Sequence, residues 1–124
     1  MPANIKVLLV DDNPMVLEML RHALAQFSLV STLTDGADAL LKAIDDKPDL
    51  IISDCTMETM DGKQLLQKLK SRSATAHIPV IVVTAKADVQ RDEATLRELG
   101  VLHIVKKPFD LNQLLQLVKQ TLGS

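Results

Sequence analysis

Five short apolar runs, each followed by a stretch of helical periodicity, constrain this chain more than any other feature of it. The clearest are VLLV at 7–10, LIIS at 50–53 and VIVV at 80–83. Runs of this length, rich in β-branched residues and bounded by turn signals, read as buried strands. The spacing predicts strands at Lys6–Val10, Leu29–Leu33, Leu50–Ser53, Val80–Val83 and His103–Val105.

The segments between them read as helices. The first opens at Asn13–Pro14, a capping side chain followed by proline at the first helical position, and presents Val16, Leu20, Ala23, Leu24 and Phe27 on one face. The second is expected from Ala37 to Asp46, stopped at Lys47–Pro48 because proline disfavours helix in the residue before it. The third is expected from Lys63 to Ser71, entered through the turn Asp61–Gly62, where glycine supplies backbone freedom. The fourth is expected from Val89 to Leu99, with Gly100 as its C-terminal cap. The fifth starts after Asp110 and carries Leu111, Leu114, Leu115, Val118 and Leu122 at helical spacing. Helix four has the poorest apolar stripe. Leu17 and Leu117 fall off the stripes of their helices, which makes them candidates for a docking face.

Strands that alternate with helices pair in parallel, because each return needs a long crossover, almost always right-handed, and that crossover is a helix. Helices then cover both faces. The chain therefore reads as an α/β domain of three layers, (βα)5, doubly wound around a parallel five-stranded sheet. The order 2-1-3-4-5 of flavodoxin-like domains suits five such strands and is adopted by analogy. With 124 residues, one domain spanning 1–124 is expected, any output domain lying elsewhere.

Composition removes several classes of function. Phe27 and Phe109 are the only aromatic residues, so there is no platform on which bases could stack, and a net charge of -2 with mixed signs makes no basic stripe. Direct nucleic-acid binding is not expected. The apolar runs fall far short of the roughly 20 residues that span a bilayer, and MPANIK does not have the pattern of a signal peptide. No membrane contact and a cytoplasmic location are expected. Cys55, the single cysteine, cannot form an internal disulfide, consistent with a reducing compartment, and is expected to be a small buried thiol. His22, His77 and His103 are scattered over a helix, a loop and a strand, and no metal or catalytic role is assigned to them. Met57 and Met60 read as loop and core packing.

The chemistry gathers where the strands end. Parallel strands bring their carboxyl ends to one edge of the sheet. There VLLV is followed by Asp11–Asp12, LIIS by Asp54, VIVV by Thr84 and HIVK by Lys107–Pro108. Taken singly, each has a plain reading as helix start, turn residue or surface lysine; together they make a site. Two carboxylates about 4 Å apart repel by roughly 4 kcal/mol at an effective dielectric near 20, so three need a countercharge. All-oxygen ligands with room for waters and a phosphate suit Mg²⁺ better than Zn²⁺. A free carboxylate, a metal, an ammonium and a hydroxyl are the parts of phosphoryl transfer to a carboxylate nucleophile.

These residues resemble the response-regulator receiver family of two-component signalling, over essentially the whole chain. The resemblance implies that Asp54 is the phosphoacceptor and that Asp11 and Asp12 hold Mg²⁺ together with Asp54 and the backbone carbonyl of Thr56. It implies that Thr84 is the hydroxyl that reorients toward the phosphoryl group, and that Lys107, before a usually cis Pro108, steadies its oxygens. A histidine kinase or phosphotransfer protein would be the donor, meeting the face near helix one. An output domain or partner protein would meet helix four, strand five and helix five. Such a module catalyses only its own phosphorylation and dephosphorylation. Lys86 and Thr56 resemble positions that tune attack by water on the acyl phosphate, and Lys86 is placed to shield it, which implies a longer-lived phosphoform.

Two positions depart from the family pattern. Glu58 stands where proline is usual, which implies a looser and more acidic loop beside the metal. Ile104 stands on strand five where the family usually has an aromatic that swings inward with the hydroxyl. Signalling through strand five and helix four is therefore expected to be muted or to use another route. Two rival readings follow: a degenerate receiver that acts as a constitutive interaction module, and a small phosphohydrolase with an aspartyl nucleophile. The second would need a substrate pocket and a further acid or base near Asp54.

Overall fold

Val7, Leu8, Leu9 and Val10 are each only 1% exposed, so β1 (Lys6–Val10) is covered on both faces, as an unbroken apolar run requires of a central parallel strand. The structure is a computed structural model and describes residues 5–55 and 60–123. Among these, β1 is followed by α1 (Pro14–Leu24), β2 (Leu29–Leu33), α2 (Gly36–Asp46), β3 (Leu50–Ser53), α3 (Gly62–Lys70), β4 (Val80–Ala85), α4 (Lys86–Glu98), β5 (His103–Lys107) and α5 (Leu111–Thr121). The strands pair in parallel in the order β2-β1-β3-β4-β5. This is the doubly wound α/β fold that the alternation predicts.

The helices form two outer layers. On one face Leu40, Leu65, Leu66, Leu69 and Leu96, from α2, α3 and α4, pack on Leu8, Val10, Ile51 and Val82. On the other, Leu17, Leu20, Leu24, Leu114 and Val118, from α1 and α5, pack on Val7, Leu9, Ile52 and Val83. Within each strand alternate residues go to alternate layers, as the pleat demands. No helix of the described residues is long and apolar enough to cross a membrane.

Helix ends follow local chemistry. The side chain of Asn13 accepts from the Met15 amide at 3.0 Å, with Pro14 at the first helical position. Asp61 and Gln64 form a reciprocal capping box on α3. Lys47 closes α2 in the left-handed region at φ 49. Gly100, at φ 89, ends α4: its amide donates to the Arg97 carbonyl, and that of Val101 to Leu96, both at 3.1 Å.

Three expectations change. β4 and β5 run on to Ala85 and Lys107, beyond their apolar residues, because pairing continues through Thr84–Lys106 and Ala85–Lys107. α4 starts at Lys86, three residues before Val89, its N-cap Ala85 offering no side-chain bond and hence no sequence signal. Leu17 is not a docking residue. It is 6% exposed because the buried face of α1 is Leu17, Leu20, Ala23 and Leu24, which keeps three of the expected residues and adds Leu17; Val16 and Phe27 are half-buried at its margin. The exposed apolar side chains of α1 are Met15 and Met19. Leu117 is half-buried.

Candidate functional site

The register of the central strands sets the site. Val10 pairs with Ser53, so the residues that follow, Asp11 and Asp54, leave the sheet side by side. Both are held by backbone bonds that extend the ladder one step: the Asp11 amide donates to the Leu33 carbonyl at 3.1 Å and the Asp54 amide to Val10 at 2.9 Å. One oxygen of Asp11 accepts from the Asn13 amide at 2.9 Å, which fixes the turn into α1. Carboxylate oxygens of Asp11, Asp12 and Asp54 all lie within 4.8 Å of one another. Asp11 and Asp54 are buried, and Asp12 faces solvent.

Lys107 reaches this group from the end of β5. Its Nζ lies 2.9 Å from Asp11 Oδ2 and 3.4 Å from Asp54 Oδ2. Burial works against the charge on Lys107, but its hydrogen bond to Asp11 and the fields of both carboxylates outweigh it, and its pKa is raised. The Lys107–Pro108 peptide is cis. One ammonium among three carboxylates leaves negative charge in excess. An all-oxygen donor set with one open side fits a hard divalent cation such as Mg²⁺, which keeps several of its waters.

α3 enters directly beneath the acids. The Gly62 amide donates to the Cys55 carbonyl at 2.7 Å, and a Cβ on Gly62 would lie 2.5 Å from the Asp54 carbonyl oxygen and 2.8 Å from Cys55 Cα. Glycine is therefore needed for close approach, rather than for the backbone freedom expected of a turn.

The structure thus brings Asp11, Asp12, Asp54 and Lys107 together. Thr84 is fully buried, and its hydroxyl donates to Asp88 Oδ2 of α4 at 3.5 Å instead of to these groups. Thr56, Met57 and Glu58 lie outside the described residues. Lys86 is exposed on the first turn of α4, and Ile104 is half-buried against the α2–α4 layer. His22, His77 and His103 take no part in the acidic group. Cys55 is buried and free, its thiol pushed up to about 12 by burial and by the neighbouring Asp92.

One residue escaped the sequence reading. Asp92, on α4, is only 3% exposed. It accepts from Cys55 Sγ at 3.5 Å, from Lys63 Nζ at 3.0 Å and from Arg91 Nη2 at 2.9 Å. The paired Arg91 guanidinium, with Lys63 behind it, holds its carboxyl well below the usual carboxylate range despite burial. A signal was present: Asp92 sits in step with Val89 and Leu96, the buried positions of α4, and so interrupts an apolar stripe with an acid.

Comparison with known proteins gives a consistent picture. The family model described as response regulator receiver domain matches residues 7–119. Hybrid signal transduction histidine kinase D of Dictyostelium discoideum is 35% identical over 108 residues, 87% of this chain but only 7% of that protein, so the chain spans a small part of this relative. The chemotaxis response regulator CheY4 of Vibrio cholerae is structurally similar, with a TM-score of 0.86 and 29% identity, over 94% of this chain and 98% of that one. The receiver domain of the sensor histidine kinase PA1611 from Pseudomonas aeruginosa, which has a magnesium ion coordinated in its active site cleft, is similar with a TM-score of 0.85 and 28% identity, over 98% of this chain and all (100%) of that one.

Proposed function

Because the chain belongs to the response regulator receiver family, we propose that residues 1–124 are one receiver domain whose Asp54 accepts a phosphoryl group from a phosphohistidine. The observation that carries this reading is the buried Asp54 carboxylate within 4.8 Å of two further acids, with the Lys107 ammonium spanning Asp11 and Asp54. One Asp54 oxygen attacks phosphorus, an O–P bond forms and the P–N bond to the donor breaks. The released electron pair stays on the imidazole, which takes up a proton.

Lys107 supplies fixed positive charge where the equatorial phosphoryl oxygens gather. Asp11, Asp12, Asp54 and the backbone carbonyl of Thr56 would hold Mg²⁺, which when bound neutralises charge on the transferring group. Thr84 has a single O–H to donate, so it must release Asp88 to reach a phosphoryl oxygen. The chain acts in this reading on its own carboxylate and not on a turned-over substrate.

A histidine kinase or phosphotransfer protein is the donor we infer. Met15 and Met19 of α1, 80% and 43% exposed, line a groove with Leu111 and Leu115 of α5 that suits an apolar docking contact near the acids. An output domain or partner would read α4, β5 and α5. A cytoplasmic location belongs to the same reading, and the reduced thiol of Cys55 fits it.

Intact-mass spectrometry after adding acetyl phosphate, with and without Mg²⁺, tests the proposal. A single Mg²⁺-dependent phosphoryl adduct, absent from Asp54→Asn, is expected. No adduct under any condition would favour the constitutive interaction module, for which Ile104 in place of an aromatic is the motivating observation. Partner binding unchanged by Asp54→Ala would then support it.

A further inference from the structure

The position of α4 in this chain has to be explained with few apolar anchors. Only Val89, Asp92 and Leu96 of its residues are buried, and one of these is an acid. Polar contacts supply what the stripe lacks, and they converge on the phosphoacceptor strand end from two sides.

On one side the Thr84 hydroxyl, at the end of β4, donates to Asp88. On the other the Cys55 thiol, one residue beyond Asp54, donates to Asp92, and Lys63 from the first turn of α3 pairs with the same carboxylate. Arg91 joins the two halves: its guanidinium lies 3.0 Å from Asp88 Oδ1 and 2.9 Å from Asp92 Oδ2. Thr84, Asp88, Arg91, Asp92 and Cys55 thus form a continuous chain of hydrogen bonds and ion pairs across the first two turns of α4. Ile104, which carries no polar atom on its side chain, cannot take part in a hydrogen-bonded route through β5.

We propose that this Asp88–Arg91–Asp92 network couples the state of Asp54 to the position of α4, with Asp92 as the positioning residue that holds Cys55 and Lys63. The inference rests on Asp54 being the phosphoacceptor. Its logic is competition for one proton and one cation. When the Thr84 hydroxyl turns to the phosphoryl group, Asp88 loses a donor and depends more strongly on Arg91. Arg91 is shared with Asp92, whose hold on Cys55 changes in turn. Because Cys55 is covalently next to Asp54, a displacement of α4 by a partner acts back on the site through the same contacts, as linkage between two sites requires.

Two-dimensional NMR of the whole chain, with Mg²⁺ alone and with Mg²⁺ plus beryllofluoride as the phosphoryl mimic, separates the possibilities. The parent chain, Asp92→Asn and Arg91→Gln are compared; Arg91 lies at the surface, so its substitution keeps the fold and decides the matter alone should Asp92→Asn fail to fold. In the parent chain, amides around Asp54 and along residues 86–98 are expected to shift together. In the variants the shifts around Asp54 persist while those of residues 86–98 are lost, a decoupling on the scale of the about five-fold or larger factors typical of allosteric linkage. Responses of α4 equal to the parent's in Arg91→Gln, or a parent chain that responds around Asp54 and not on α4, would overturn the proposal. A parent chain with no response around Asp54 would instead refute the phosphoacceptor reading and the inference with it.

Discussion

Lys107→Met is the substitution whose effect the site geometry fixes most closely. The ammonium lies 2.9 Å from one buried carboxylate and 3.4 Å from another. At an effective dielectric near 20 these distances correspond to gross attractions of about 6 and about 5 kcal/mol. Much of that sum only offsets the cost of bringing the ammonium and the acids out of water. Removing one partner of such a buried group strands the others, and the net cost is about 3 kcal/mol. Methionine keeps the length and apolar stem of the side chain, so the loss reports charge and not packing. Urea unfolding in EDTA should therefore show a lower midpoint with an unchanged slope. Saturating Mg²⁺ should restore about half of the loss, because a divalent cation takes over as countercharge, and Mg²⁺ should bind the variant about ten-fold more tightly than the parent. A loss below about 1 kcal/mol in EDTA, or an equal loss with and without Mg²⁺, would show that the acids do not depend on Lys107 and would refute the reasoning.

Leu66→Ala removes a side chain with 0% exposure from the α2–α4 layer and should cost about 3 kcal/mol, or about 10 °C in Tm, by calorimetry. Cys55, with its thiol pushed up to about 12 mainly by burial, should resist iodoacetamide at pH 8 in the native chain and react at the rate of a free thiol once unfolded; fast native labelling would contradict its environment. Asp92 has a folded pKa below its unfolded value of about 3.9, so it contributes stability above that value that is lost as pH falls toward the folded one. Urea midpoints between neutral pH and pH 3 should fall more steeply in the parent than in Asp92→Asn, and parallel curves would count against the ion pairs.

The fold was legible because its signals are local and repeated. β1, β2 and β3 stand where the apolar runs place them, and Asn13–Pro14, Lys47–Pro48 and Gly100 mark helix ends through their own side chains and backbone angles. Where an end depends on a neighbour, the sequence is silent. β5 extends to Lys107 because β4 offers Ala85 as a pairing partner, and no property of Lys106 or Lys107 announces it. The burial of Leu17 is hidden from the sequence for a related reason. Leu20, Ala23 and Leu24 fit a helical stripe with Val16 and Phe27 or one with Leu17, and which of these flanking residues is buried is decided by how α1 seats beside α5.

The acidic group followed from topology. Once the strands are parallel, Asp11, Asp12, Asp54 and Lys107 must share an edge, and their spacing along the chain is irrelevant. A side chain's direction at that edge is a different matter. Thr84 lies one residue before the end of β4, and its hydroxyl faces Asp88, because a buried O–H takes the acceptor that its surroundings offer. Asp92 is the sharper case. An acid on a weak stripe has two readings, a solvated residue on an exposed face or a buried one with partners, and only the partners distinguish them. Those partners, Lys63 and Cys55, lie 29 and 37 positions away and come from two other elements of the domain. Burying a carboxylate without them would be too costly to persist, so the presence of Asp92 on the inner face of α4 already implies that α3, the end of β3 and α4 are arranged together. The contacts that link the acidic edge to α4 are accordingly charge and hydrogen bonds, through Thr84, Asp88, Arg91, Asp92 and Cys55, while Ile104 on β5 contributes only apolar packing.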